Sequence, residues 1–372
     1  MRPSAVGMAS KVVLVTGASG YLGQHLLVAL SSRRDLTLHG TFSGLDTFEV
    51  DFADQCTPHR VSMEDGAALG ALLGRVRPDV VVHVAALSSP RVCEKDVDRC
   101  MAINAPSALI DHLPTHSSLV FLSTDQVYDG TSAPYAEATG ATAPVNAYGK
   151  SKLAFEKALA ARLPARHVSL RSSLIIGPPA PRRCNKPRSF LQDCEKLLSS
   201  AEGAAFFSNE MRSAVSVRML TSRRGPAALN THSLRRLRSQ VDDVIAVIAW
   251  AIDGGTTAHP GVYNMGGPES LSRVDIALAV AKHRGLPRGR VHAQPRPADG
   301  PVRSPLDITM DSGRLHAVSG IRMRSLARTL PTAFARRSRW MSMSTAASML
   351  AIGLLSCAVA IVAMSYAQRA GS

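Results

Sequence analysis

The segment KVVLVTGASGYLG, residues 11–23, determines the fold that we predict for this chain. It begins with an apolar, β-branched run of strand length, and an amphipathic helical pattern follows through Leu30. Gly17, Gly20 and Gly23 lie in the turn, spaced GxxGxxG rather than GxGxxG. Strand, glycine turn and helix form the unit that binds the pyrophosphate of a dinucleotide. We expect Gly17 to allow the tight turn, Gly20 to let pyrophosphate approach the backbone, and Gly23 to let the helix pack on the strand.

The sequence after Leu30 predicts the other strands of a parallel sheet. Residues 78–86 are almost continuously apolar, which is typical of strands that helices cover on both faces. The predicted strands are Leu36–Thr41, Arg60–Asp65, Pro78–Ala86 and Leu119–Leu122, and a helix is predicted over Lys95–Leu113. The predicted fold class is α/β: a Rossmann-type doubly wound parallel sheet with a smaller C-terminal substrate lobe and a C-terminal hydrophobic helix.

The end of the second predicted strand bears on the choice of cofactor. An acidic residue there would bind the 2′-hydroxyl of NAD, whereas a nearby arginine would favour the phosphate of NADP. Residues 41–43 are Thr-Phe-Ser, and Arg33 and Arg34 precede the strand, so the preference for NADP over NAD is slight. The small residues Ala85 and Ala86 would let the cofactor pass close to the backbone.

Thr124, Tyr148 and Lys152 carry the predicted chemistry. Thr124 follows the fifth predicted strand, and ligands bind at the carboxyl ends of strands in open α/β sheets. Tyr148 and Lys152 are four residues apart and therefore share one face of a helix. A neighbouring ammonium would lower the pKa of the tyrosine, which is about 10 in isolation. Tyr148 is then a general acid for a carbonyl oxygen that receives hydride, while Thr124, or else Ser123, donates a hydrogen bond to the same oxygen.

Six motifs along the chain resemble those of a known family. They are TGASGYLG at 16–23, STDQVYDG at 123–130, PYAE at 134–137, YGKSK at 148–152, RSSLIIG at 171–177 and NMGG at 264–267. With them the chain resembles an extended short-chain dehydrogenase/reductase of the dTDP-4-dehydrorhamnose reductase group, which includes the regulatory β-subunit of methionine adenosyltransferase. The resemblance covers residues 10 to 316. It implies catalytic roles for Thr124, Tyr148 and Lys152, and it places Ser272 and Arg273 in the substrate lobe.

The same resemblance implies a set of cofactor-binding residues. For Asn104, on the helix predicted over Lys95–Leu113, a capping or surface role stays open beside the functional one. The set is Gly17, Ser19, Gly20, Tyr21, Leu22, Gly23, Ala85, Ala86, Asn104, Tyr148 and Lys152.

Three functions follow from the resemblance as alternatives. The first is an NAD(P)H-dependent reductase acting on the keto group of a nucleotide-activated sugar. The second is a non-catalytic NADP-binding subunit that regulates a methionine adenosyltransferase catalytic subunit, and the third is a nucleotide-sugar epimerase or dehydratase. Oligomers are compatible with all three.

The predicted domains are a Rossmann domain over 10–177, with returning segments from the C-terminal half, and a substrate lobe over 178–316. Family members continue from an Arg-Ser-x-Val-x-Val run directly into an Asp-Val helix, whereas residues 218–241 separate these two features here. This Arg- and Ser-rich segment has no period, and we interpret it as a surface insertion or as translated intron sequence.

The C-terminal tail predicts a membrane anchor. A basic linker is predicted over 317–345, and residues 346–367 are apolar over about the length that crosses a bilayer. Trp340 and Tyr366 lie near the two ends, as interfacial anchors do. We expect a cytosolic domain tail-anchored to an intracellular membrane, with a core helix as the alternative.

Charge and cysteine content narrow the function classes. The net charge is +15, but the arginines concentrate in two stretches without interleaved aromatic residues, which argues against nucleic-acid binding. The six cysteines show neither CxxC spacing nor paired histidines, so we predict no metal site and ordinary reduced thiols.

Overall fold

The computed structural model describes residues 10–44, 47–217, 243–297, 300 and 302–335. Over these residues, seven parallel strands form the central sheet in the order β10-β6-β5-β4-β1-β2-β3. Two further parallel pairs, β8 with β11 and β7 with β9, lie outside it. The strands are β1 Lys11–Thr16, β2 Leu36–Phe42, β3 Thr57–Arg60, β4 Val80–His83, β5 Ser118–Thr124, β6 His167–Ser172, β7 Ile175–Ile176, β8 Ala204–Phe207, β9 Val215–Ser216, β10 Gly261–Met265 and β11 Val291–Gln294.

Helices connect most of these strands, as parallel pairing requires. They are α1 Tyr21–Leu30, α2 Phe48–Asp51, α3 Gly66–Val76, α4 Pro90–Lys95, α5 Val97–Asn104, α6 Ala108–Asp111, α7 Ala147–Arg162, α8 Phe190–Leu198, α9 Val244–Trp250, α10 Thr256–Ala258, α11 Arg273–Arg284, α12 Gly313–Ser319 and α13 Leu326–Ala333. Short 3₁₀ turns cover Asp125–Val127 and Arg288–Arg290, and a π-helical turn covers Ala251–Gly255.

Strand β1 shows why the central strands are apolar throughout. Val13 and Val15 pack into the hydrophobic core on one face of the sheet, and Leu14 packs into the core on the other. Because helices cover both faces of the sheet, these successive residues of β1 are buried whichever face they point to. The chain order reverses at β1, which pairs with both β2 and β4, and in doubly wound sheets the ligand crevice lies at this switch point. The predicted Rossmann-type sheet is confirmed.

Two predicted elements were wrong. The third strand covers Thr57–Arg60 instead of Arg60–Asp65. It lies at the edge of the sheet, where a strand needs neither two apolar faces nor a backbone N–H donor at every residue, so Pro58 is tolerated. The helix predicted over Lys95–Leu113 is divided among α4, α5 and α6. Pro106 lies between α5 and α6, and its ring and missing N–H break the helix there.

A smaller lobe is built from α8, β8, α11 and β11. Helix α8 packs on α11, and β8 pairs with β11 from Ala204–Val291 to Phe207–Gln294. The basic linker predicted over 317–345 is wrong where the structure describes it. Residues 326–333 form α13, whose Leu326, Leu330 and Ala333 are spaced as one apolar helix face and are buried.

The described residues up to 333 form one compact unit. The segment predicted as irregular, 218–241, and the hydrophobic helix predicted over 346–367 lie outside the described residues. Within the described ranges, no helix has the length and apolar character needed to span a bilayer. Val217 and Asp243, which flank the first of these segments, pair with each other in an antiparallel bridge.

Candidate active site

The glycine turn after β1 has the packing that the sequence predicted. Gly17 adopts a left-handed φ of +67°, and a Cβ there would lie 2.5 Å from the Cα of Ala85. A Cβ at Gly23 would lie 2.3 Å from the Gly17 carbonyl oxygen, so only glycine lets α1 approach the turn. Gly20 is the exposed N-cap of α1 and makes no side-chain cap. The first-turn N–H groups of this helix can therefore face an anion.

The ends of β2 and β3 adjoin this turn. The Oγ1 atom of Thr41 accepts a hydrogen bond from Gly17 N at 3.2 Å. Arg33 does not reach this region, because it forms ion pairs with Asp35 and Asp253, the latter at 2.7 Å. Arg60, which the sequence analysis did not assign, pairs in register with Phe42, and its guanidinium carbon lies 5.0 Å from the Phe42 ring centre.

Thr124, Tyr148 and Lys152 come together at the carboxyl end of β5. Thr124 is the last residue of β5 and is buried, whereas Tyr148 and Lys152 lie in the first two turns of α7. The Thr124 hydroxyl lies close enough to the Tyr148 phenol to lower its pKa. Asn146 caps α7 by accepting a hydrogen bond from Gly149 N at 2.9 Å, which fixes where the helix begins. The predicted spacing on a helix is thus confirmed.

Burial dominates the electrostatics of this trio. Burial raises the pKa of Tyr148, the nearby Thr124 hydroxyl opposes that rise, and the charge of Asp125 adds to it. Lys152 is 1% exposed, and its Nζ donates to the Leu122 carbonyl oxygen at 2.9 Å. Burial lowers the pKa of Lys152 to about 7. The expectation that a charged Lys152 lowers the pKa of Tyr148 stays a prediction, since a pKa of about 7 leaves Lys152 partly charged at neutral pH.

Asp125 was quoted in the STD motif but given no role. It is 4% exposed, and both carboxylate oxygens accept hydrogen bonds from hydroxyls. Thr124 Oγ1 donates to Oδ1 at 3.2 Å, and Ser173 Oγ donates to Oδ2 at 2.8 Å. Its position directly after Thr124 is the only signal in the sequence that would have found it.

A buried ion pair lies behind the catalytic helix, and the sequence analysis missed it. Arg171 Nη2 donates to Glu156 Oε2 at 2.8 Å, and Arg171 Nη1 donates to the Tyr128 hydroxyl at 2.9 Å. Ser123 donates to the other oxygen of Glu156. Glu156 follows Lys152 by one helical turn, so this network ties α7 to the ends of β5 and β6.

Some residues predicted to bind cofactor have protein partners for their polar atoms. The side chain of Asn104 is buried, accepts from Leu87 N at 2.8 Å and donates to Ser151 Oγ at 2.9 Å. It therefore fixes the loop after β4 to α7. The Tyr21 hydroxyl donates to the Pro178 carbonyl oxygen at 2.8 Å. The remaining members of the set lie in the turn, at the start of α1 or just after β4: Ser19 and Ala86 are partly exposed, while Leu22 and Ala85 are buried.

Three arginines meet one buried carboxylate. Glu210 accepts hydrogen bonds from Arg212 at 3.0 Å, Arg273 at 3.0 Å and Arg296 at 2.8 Å. Burial opposes the ionisation of Glu210, but the charges of Arg273 and Arg212 outweigh it, so the pKa of Glu210 falls. The charges of Arg212 and Arg273 also act on Asp125. This cationic cluster, residues 212, 273 and 296 with Glu210, is thus electrostatically linked to Asp125, the neighbour of Thr124.

Two known proteins are similar in sequence to most of this chain. Methionine adenosyltransferase 2 subunit beta from Mus musculus is 26% identical over 336 residues, which cover 87% of each chain. The dTDP-4-dehydrorhamnose reductase from Salmonella typhimurium is 25% identical over 299 residues, which cover 79% of this chain and 89% of that protein.

The fold is also shared with solved structures. Bacillus anthracis dTDP-4-dehydrorhamnose reductase in complex with NADP superposes with a TM-score of 0.65 at 18% identity, over 87% of this chain and 99% of that chain. At this identity the likeness shows the fold alone. The model of the family described as RmlD substrate binding domain matches residues 11–222, which is more than half of the chain. The chain therefore belongs to the RmlD substrate binding domain family.

Proposed function

We propose that the protein is an NAD(P)H-dependent reductase of the keto group of a nucleotide-activated sugar. The observation that carries this proposal is the meeting of Thr124 and Tyr148, with Lys152 one turn behind, at the carboxyl edge of a dinucleotide-type sheet. Hydroxyl, phenol and amine are the groups that a carbonyl oxygen needs while its carbon is reduced. The relatives named dTDP-4-dehydrorhamnose reductase support the same reaction class.

Each residue of the trio has a distinct part in the reaction. A bound nicotinamide supplies the hydride that reduces the carbonyl carbon to an alcohol carbon. Tyr148 transfers its phenolic proton to the carbonyl oxygen, and its raised pKa keeps that proton in place until charge develops there. Thr124 donates a hydrogen bond to the same oxygen and thereby positions it. Lys152, once charged, favours the phenolate that remains.

The residues at the glycine turn fit the pyrophosphate of the cofactor. At Gly17 and Gly23 the backbone lies so close to its neighbours that a Cβ would not fit. The N-terminus of α1 has no side-chain cap. NADP is favoured over NAD because β2 ends without an acidic residue and Arg60 lies at the same edge, beside Phe42. The solved reductase complex with NADP is consistent with this preference.

The cationic cluster supports a nucleotide diphosphate as the anionic part of the substrate. Its three arginines carry more positive charge than Glu210 neutralises, and guanidinium groups bind phosphate oxygens well. The charges of Arg212 and Arg273 also act on Asp125, which directly follows Thr124, and this supports a substrate that contacts both the cluster and Thr124.

The test is NADPH oxidation with a panel of dTDP- and UDP-4-keto sugars. We expect Tyr148→Phe to bind NADPH like the wild type and to lose turnover by orders of magnitude. Tyr263→Phe is a matched control, since Tyr263 lies on β10 at the edge of the sheet and its phenol donates to the carbonyl oxygen of His259, just before that strand. Near-normal turnover of Tyr148→Phe would refute the assigned role.

A second candidate is a non-catalytic subunit that regulates a methionine adenosyltransferase. It is favoured by relatives that carry this name and match 87% of the chain. Tight NADP binding without turnover, together with co-purification of a methionine adenosyltransferase catalytic subunit, would support it over the reductase.

We also propose that residues 346–367 anchor the protein to an intracellular membrane. Their apolar composition and the arginines that precede them support this. Full recovery of the protein in the soluble fraction after high-salt and carbonate washing of cells would refute it.

A further inference from the structure

The carboxylate of Asp125 competes with a substrate for the one hydrogen of the Thr124 hydroxyl. Thr124 Oγ1 accepts from Gln126 N at 3.2 Å and donates to Asp125 Oδ1 at 3.2 Å. A hydroxyl has a single hydrogen to donate. While that hydrogen is shared with Asp125, Thr124 has none to give to a carbonyl oxygen near Tyr148.

A protonated Asp125 would reverse this bond. A carboxylic acid carries its own O–H donor and keeps acceptor capacity on the second oxygen. Oδ1–H could then donate to Thr124 Oγ1, while Oδ2 still accepts from Ser173 Oγ at 2.8 Å. The Thr124 hydrogen would be released toward the substrate side, and no other hydrogen bond of Asp125 would be lost.

We infer that Asp125 is a positioning residue whose proton decides whether the Thr124 hydroxyl donates to Asp125 or to the substrate carbonyl oxygen. This inference rests on the proposed reductase function. With Asp125 protonated, Thr124 and Tyr148 both donate to the reacting oxygen. With Asp125 ionised, Tyr148 acts alone.

The groups that face Asp125 are suited to keeping this proton exchangeable. Burial raises the pKa of Asp125, while the Arg212 charge, the Ser173 and Thr124 hydroxyls and the Arg273 charge lower it. The charge of Arg212 acts on it from the segment before β9, and the charge of Arg273 acts from the start of α11. From α7 the phenol of Tyr148 faces it, and the charge of Asp125 makes that phenol harder to ionise.

The experiment is the pH dependence of kcat for wild type and Asp125→Asn. The asparagine amide can donate permanently to Thr124 Oγ1 and accept from Ser173. We expect wild-type kcat to fall as pH rises through the Asp125 titration. This fall is a limb of the pH profile, and we expect the limb to be absent in Asp125→Asn. The KM for NADPH should not change. Asp111→Asn, in an exposed pair with Arg162, is the control and should keep the limb.

A second variant moves the limb instead of removing it. Ser173→Ala deletes a hydrogen bond that favours the ionised carboxylate, so the pKa of Asp125 should rise and the limb should shift to higher pH. If Asp125→Asn keeps the wild-type limb, or if Ser173→Ala leaves its position unchanged, the inference is overturned.

An infrared readout separates this inference from the proposed function. The difference spectrum between wild type and Asp125→Asn should contain a carboxylic acid band that disappears with rising pH, whether or not the enzyme turns over a sugar. Absence of turnover with every substrate would refute the reductase proposal. A carboxylate band at every pH at which the protein is folded would refute the role of Asp125.

Discussion

Removing Arg171 should destabilise the protein far more than removing an exposed arginine. The Arg171 guanidinium is 8% exposed, lies 2.8 Å from Glu156 Oε2 and also donates to Tyr128 at 2.9 Å. In Arg171→Met, Glu156 stays 3% exposed and keeps only the hydroxyl of Ser123 as a partner among these groups. Breaking a buried pair on one side typically costs about 3–5 kcal/mol. We expect a loss of that size in the free energy of unfolding.

Urea denaturation of full-length variants measures this loss. Arg162→Met is the matched control, because Arg162 pairs with Asp111 at 2.7 Å but the two side chains are 48% and 42% exposed. That change should cost no more than about 1 kcal/mol. The double variant Glu156→Met with Arg171→Met removes the uncompensated charge and should be more stable than Arg171→Met alone. Equal losses for Arg171→Met and Arg162→Met would refute the reasoning.

Three further predictions concern the cofactor site. Gly23→Ala should abolish NADPH binding in a fluorescence titration, because the new Cβ would lie 2.3 Å from the Gly17 carbonyl; Gly74→Ala, in open space on α3, should bind normally. Asn104→Ala should weaken NADPH binding without changing the circular dichroism spectrum, because it frees the loop after β4. Burial lowers the pKa of Lys152 to about 7, so the unfolded chain binds more protons than the folded one between that pH and about 10. The free energy of unfolding of wild type relative to Lys152→Met should therefore rise with pH across this window; a constant difference would contradict the shift.

The parts of the fold that could be predicted are those fixed by local sequence. The strand, glycine turn and helix of residues 11–30 are contiguous. β-Branched residues indicate the strand, glycines indicate the turn, and the helical period indicates the helix. Strand β3 could not be found this way. Thr57–Arg60 contains one proline and no large apolar residue, and it becomes a strand only because it pairs with β2 at the edge of the sheet.

The same distinction applies to the site. Tyr148 and Lys152 were found from a four-residue spacing on one helix, and Thr124 from its place at a strand end. The hydrogen bond between Ser173 and Asp125 spans 48 residues. It forms because β5 and β6 are neighbours in the sheet, and residue spacing along the chain does not predict which strands are neighbours. The desolvation of Lys152 likewise comes from packing on Phe121 and Leu122 of β5. Spacing predicted the catalytic groups, whereas their protonation states depend on tertiary packing.

The position of Lys152 separates the two candidate functions. Its Nζ donates to the Leu122 carbonyl oxygen and lies 4.8 Å from the Phe121 ring centre, and burial favours its neutral form. Binding of NADP depends on the glycine turn and the N-terminus of α1, which need no charge on Lys152. Reduction does need that charge, since a neutral amine gives the Tyr148 phenolate no electrostatic support. A cofactor-binding module tolerates a partly neutral Lys152, whereas a reductase gains from a hydrogen-bond acceptor that raises the pKa of Lys152 and so increases its charged fraction. The ribose hydroxyls of a bound cofactor are such acceptors, so in a reductase the binding of NADPH would itself complete the catalytic trio.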